Sequence, residues 1–283
     1  ENYNLTGYFN MPKVLEITLH NGVDPRTGKR IGLETGAPTQ FETFEALFEA
    51  YRKQLQHFVD VKVRGNNVIE RLYAQHIPAP FLSLVIDDCI AKGKDYHDGG
   101  ARYDTSYIQG VGVGTMTDAL TAVKYHVFDE RTLGMGDLLT ALRDNFEGHE
   151  RLRQMLLNKT PKYGNDDDYA DDVMVDVFNA YFDAVDGRPN TRGGTYRVNL
   201  LPTTVHVYFG SVIGALPDGR LAEMPLSEGI SPVQGADRHG PTAVLKSVAK
   251  MDHARTGGTL LNQKFTPQLL KDDTGLDKLV HLI

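Results

Sequence analysis

Two periods of apolar residues organise this chain. From Thr43 onward Phe44, Leu47, Phe48, Tyr51, Leu55, Phe58 and Val59 recur every three or four positions, the spacing of one helix face. The pattern predicts a long helix that runs toward His76 and stops before Pro78. Asn10 followed by Met11-Pro12 reads as a cap with proline in the first turn, opening a helix through Val14, Leu15, Ile17 and Leu19 to a stop at Asn21-Gly22. Residues 22–40 are turn-rich and read as a surface excursion. Further helices are predicted over Phe81–Lys92, Met135–Asn145, Glu150–Leu157, Asp168–Val185 and Thr242–Met251, and the chain closes on an amphipathic helix at Asp277–Ile283.

The other period is two. In the stretch from Arg188 to Arg220, Tyr196, Val198 and Leu200 alternate with polar residues, and Val205, Val207 and Phe209 do so again. Both runs predict strands, which places His206 in a strand as a satisfied core imidazole. Between them Pro202 removes a ladder donor, so pairing must end or bend at Leu201-Pro202-Thr203-Thr204. The two hydroxyls either satisfy loose backbone groups at the strand end or bind a ligand there. Thr259–Phe265 is a short buried-strand candidate after Gly257-Gly258. Helical patterns alternating with short apolar strands predict an α/β fold with a largely parallel sheet, and no composition break divides it.

Glycines 110, 112 and 114 are spaced G-x-G-x-G, which is neither the dinucleotide fingerprint nor a phosphate loop with its Lys-Ser/Thr pair; close backbone packing accounts for them better. Asp166, Asp167 and Asp168 open a helix, where they complement its dipole more simply than they hold a cation. Cys89 follows two aspartates on an apolar helix face and reads as a small core residue.

Composition narrows the classes. A net charge of −7 with no basic stripe argues against a nucleic-acid partner. No apolar run approaches a membrane span, and the first residues lack the basic-then-apolar order of a signal peptide. A single cysteine excludes an internal disulfide framework and fits a reducing, cytoplasmic setting. No G-x-S-x-G, H-E-x-x-H or C-x-x-C motif occurs, and residue types alone reveal no metal site and no catalytic group.

Six longer words change the picture: LTGYFNMPKVLEITLHNG (5–22), GGARYDTSYIQGVGVGT (99–115), NKTPKYGNDDDYAD (158–171), RGGTYRVNLLPTTVHVYFG (192–210), PLSEGISPVQGAD (225–237) and GGTLLNQKF (257–265). In this order the chain resembles the glycyl radical enzymes of the pyruvate formate-lyase superfamily, over essentially all 283 residues, and most of all the branch that dehydrates trans-4-hydroxy-L-proline. The resemblance implies a ten-stranded α/β barrel of which this is roughly the second half-barrel. It also implies a glycyl radical installed by a radical S-adenosylmethionine activase, a thiyl on a Gly-Cys-x-Glu loop, a small polar substrate such as hydroxyproline, and a homodimeric parent.

Neither Gly-Cys-x-Glu nor Arg-Val-x-Gly-Tyr is present. With no Met in front and a helix cut behind, residues 1–283 are therefore expected to be one segment of the catalytic domain, lacking the cysteine loop before it and the glycyl radical domain after it. Alone it should be inactive and poorly soluble, because an open half-barrel leaves strand edges and apolar faces uncovered. Carried over residue by residue, the resemblance implies substrate contacts for Tyr8, whose hydroxyl would bond the substrate, and for Thr203, which would face its carboxylate. Another glycyl radical lyase, of the choline, diol or glycerol, isethionate or formate acetyltransferase type, and a non-catalytic binding module are the competing readings.

Overall fold

The computed structural model describes residues 2–283, and for Tyr3, Thr6 and Leu269 the backbone alone. The chain opens with a strand, β1 (Asn2–Asn10), which turns directly into helix α1 (Met11–Leu19). The Asn10 side chain accepts from Lys13 N, as the cap reading requires. After a loop comes α2 (Phe44–His76), capped by Thr43, then two short helices, α3 (Pro80–Val85) and α4 (Cys89–Lys92). Strand β2 (Asp104–Val111) leads into α5 (Val113–Val123), followed by α6 (Met135–Arg143), α7 (Glu150–Lys159) and α8 (Asp168–Val185). Strand β3 (Thr195–Asn199), α9 (Val205–Gly210), α10 (Pro241–Ala249) and α11 (Asp273–Leu282) complete the chain.

The strands form one parallel sheet in the order β1-β2-β3, joined by helical crossovers, as parallel pairing demands. Phe9, Ile108 and Val198 line one face and are buried under helices α1, α2, α5 and α8. Phe9 meets the Tyr181 ring at 5.7 Å between centroids, and the Tyr181 hydroxyl donates to Ile108 O at 3.1 Å. The glycines of β2 and α5 serve this packing: a Cβ on Gly110 would stand 2.8 Å from both Tyr181 and Leu200, and one on Gly114 would stand 2.5 Å from Ser231 O.

Three sequence expectations need correction. Residues 205–210 form a helix, not a strand: Val205 and Phe209, four apart, pack on Ile213, Leu216 and Leu226, while Val207 is turned out and half exposed. His206 thus lies in α9, half-buried, with a buried Nδ1 that has no hydrogen-bond partner. The helix expected over 81–92 breaks at Ile86–Asp88, where Asp88 takes a left-handed φ of 76°, and Phe81 is 85% exposed. The strand expected at 259–265 reduces to a single parallel bridge, Leu200 to Thr259.

Candidate functional site

Parallel strands all end at one edge, and in α/β sheets ligands gather beyond the carboxyl ends of the strands. Tyr8 and Thr203 both belong to that edge. β1 carries a bulge between Leu5 and Tyr8, with Gly7 at φ 120°, a conformation that side chains avoid. The bulge resets the alternation, so that Phe9 enters the core while Tyr8 faces the other way and is 41% exposed. Tyr8 pairs with Gln109, and Gln109 with Asn199, which puts these three side chains in one row on the face away from the covering helices.

Beyond β3 the chain leaves the sheet in steps set by Pro202. Leu200 N donates to Gly258 O at 3.0 Å and Leu201 N to Gln109 Oε1 at 2.8 Å, while the buried Pro202 offers only its carbonyl, which accepts from Gly229 N at 3.1 Å. Thr203 and Thr204 follow, both exposed. Thr204 occupies the cap position of α9 without a side-chain cap bond, so its hydroxyl does not satisfy the helix end. Asn10 Nδ2 donates to Phe209 O at 3.4 Å, tying the far end of α9 to the junction of β1 and α1. The edge therefore offers three exposed hydroxyl-bearing residues, Tyr8, Thr203 and Thr204, beside a polar strand row. It suits recognition of a small polar molecule by hydrogen bonds.

The other singled-out residues take structural places. Cys89 is buried against Gly100, where the chain approaches the start of β2, at the opposite end of the strands. Burial, with Asp95 and Asp88 nearby, pushes its thiol pKa up, which disfavours a reactive thiolate. Asp167 caps α8 by accepting from Tyr169 N, Asp166 pairs with Lys246 at 2.8 Å, and Asp168 pairs with Lys250 at 2.6 Å. Among the described residues no group of His, Cys, Asp and Glu is placed to hold a metal, and no helix is long and apolar enough to cross a membrane. A depression of about 300 Å³ bordered by Arg71, His97, Thr191 and Arg192 includes neither Tyr8 nor Thr203. Arg192 there is occupied by Glu70 and Asp104 at 2.8 and 2.7 Å.

Sequence reasoning from residue types missed Gln109. Its signal was present: one amide within the apolar run Tyr107-Ile108-Gln109-Gly110-Val111, where a buried polar group needs a partner.

Comparison with known proteins shows which relatives the chain resembles. Over its whole length the chain is 58% identical to trans-4-hydroxy-L-proline dehydratase of Clostridioides difficile, spanning 36% of that protein, so it corresponds to about a third of such a relative. The crystal structure of that hydroxyproline dehydratase with substrate trans-4-hydroxy-L-proline bound superposes with a TM-score of 0.95, covering 97% of this chain and 35% of the other. The glycerol-bound form of the B12-independent glycerol dehydratase from Clostridium butyricum is 40% identical with a TM-score of 0.94, covering 99% of this chain and 36% of that one. A profile described as Glycine radical matches residues 226–283. The profile described as Pyruvate formate lyase-like matches residues 1–210, most of the length, and the chain belongs to that family.

Proposed function

We propose that this chain is a segment of a glycyl radical dehydratase that removes water from trans-4-hydroxy-L-proline to give a pyrroline carboxylate. The observation that carries this reading is the 58% identity to the hydroxyproline dehydratase, sustained over all 283 residues, against 40% to the glycerol dehydratase. In the whole protein a backbone glycyl radical, installed by a separate radical S-adenosylmethionine activase, supplies the hydrogen-abstracting chemistry. The enzyme is a cytoplasmic homodimer on this reading, working without oxygen.

The part left to this chain is binding and orientation. The Tyr8 hydroxyl bonds the substrate, and the Thr203 hydroxyl donates to its carboxylate, a charge-assisted bond stronger than one between neutral groups. The catalytic cysteine and radical glycine lie elsewhere in the enzyme, because neither of their loop words occurs within residues 1–283. The chain is then a single segment whose last part, 226–283, enters the region of the Glycine radical profile without its Arg-Val-x-Gly-Tyr word. Cys89, buried at the far end of the strands, takes no part.

The test is turnover by the full-length enzyme, activated anaerobically with its activase and S-adenosylmethionine and offered hydroxyproline, glycerol and propane-1,2-diol in parallel. A kcat/KM for hydroxyproline on the order of 100-fold or more above the diols is the expected result, since a site built to bond a charged carboxylate rejects molecules lacking it. Preference for a diol would overturn the substrate. Absence of a radical signal after activation would overturn the chemistry. The 283-residue chain alone is expected to give no turnover with any of the three.

A further inference from the structure

Gln109 is 5% exposed toward the carboxyl end of β2. It stands between Tyr8 and Asn199 in the strand register, on the face that carries Tyr8. A buried carboxamide is costly without a partner, and the partner here is the amide of Leu201, just past the end of β3. The chain that leaves the sheet is held at three consecutive residues. Leu200 is bonded through both its N–H and its carbonyl, to Gly258 and Leu260, and Pro202 through its carbonyl to Gly229; all of these are backbone bonds. The hold on Leu201 is the Gln109 side chain. It sits two residues before Thr203, in a segment where Pro202 can donate nothing.

We infer that Gln109 is a positioning residue: it fixes the Leu201–Thr204 exit against the strand face that carries Tyr8, and so sets the separation of the Tyr8 and Thr203 hydroxyls. This rests on the substrate-binding roles proposed for those two residues. Gln109 acts through Leu201, not on the substrate. Its loss therefore loosens the site without touching the radical.

The test uses the full-length, activated enzyme. Gln109→Leu, similar in size but with no acceptor, is expected to raise the KM for hydroxyproline roughly tenfold, the effect of one lost hydrogen bond. The kcat should stay within about threefold, and the radical content, read by electron paramagnetic resonance, should be unchanged. Gln109→Glu keeps an acceptor at the same reach and should hold KM within about threefold of the parent. Thr203→Ala is the reference. If it raises KM while Gln109→Leu leaves KM unchanged, the inference fails and the role of Thr203 stands. If neither raises KM, both fail. Equal losses of kcat and radical content in the Leu and Glu variants would also overturn the inference, because they mark a merely structural residue. Hydrogen exchange in the unsubstituted enzyme provides a second readout. The Leu201 amide should exchange at least about tenfold more slowly than those of Thr203 and Thr204, and equally fast exchange would contradict the bond.

Discussion

At the scale of single residues, burial outweighs pairing for three acids, Asp118, Asp171 and Asp218, whose carboxyls are all pushed up. Asp118, 1% exposed in α5, accepts from Tyr163 N at 3.0 Å and so fixes the turn that leads into α8. Burial pushes its carboxyl up to about 7; Lys162 and the Tyr163 bond pull the other way, and Asp218 and Asp171 add to the rise. The unfolded chain gives up this proton near the ordinary value of 3.8, while the folded protein keeps it until about 7. The stability this group contributes is therefore complete below pH 4 and lost as the pH climbs to 7. Asp118→Asn retains an oxygen for Tyr163 N and has no proton to lose. The unfolding free energy of the variant relative to the parent, from denaturant melts, should rise between pH 4 and 7 and level off above, for a difference on the order of a few kcal/mol at most. A difference that does not vary with pH would show that Asp118 does not titrate in this range. Cys89 shows the same influence: burial raises its pKa and leaves it a core thiol.

Elements obey two different constraints here, and a pair of glycines separates them. Gly136 lies in α6 with open space where a Cβ would go, so Gly136→Ala should gain up to about 1 kcal/mol from helix propensity. Gly114 lies in α5 against Ser231 O, where Thr115 and Ser227 exchange hydrogen bonds. Gly114→Ala should lose roughly 1–3 kcal/mol despite the same propensity gain, and denaturant melts that gave both substitutions one sign would refute the packing account. Long elements were legible in the sequence for a physical reason: α8 repeats its stripe over five turns, and its bounds were read correctly. Short ones were not. Six residues of α9 place apolar side chains two apart as well as four apart, and only the packing of Val205 and Phe209 on Leu216 and Leu226 selects the helix. β1 went unread because its bulge at Gly7 interrupts the alternation that would have revealed it. Tyr8 was accessible only through a family word, whereas Thr203 was already marked by the break in pairing at Pro202 and the family word sharpened it. Gln109 stood out only as one amide in an apolar run inside a family word; its partner, a backbone amide 92 residues away, was not legible.

On the scale of the whole molecule, one face of the sheet is closed by helices and the other carries the polar row of exposed Tyr8 and buried Gln109 and Asn199. Apolar side chains also remain exposed on the later part of α2, at Val68 and Leu72, and on α3, at Phe81 and Val85. In a chain that spans about a third of its hydroxyproline-dehydrating relative, such uncovered surface matches the sequence expectation of open apolar faces. The central claim is that the carboxyl edge of this sheet holds hydroxyproline between Tyr8 and Thr203. The most direct measurement is a crystal structure of the full-length enzyme with trans-4-hydroxy-L-proline bound. The account predicts the Tyr8 hydroxyl and the Thr203 hydroxyl each at about 3 Å from a polar atom of the substrate, with Gln109 still bonded to the Leu201 amide. A substrate seated away from this edge, or one that meets neither hydroxyl, would contradict it.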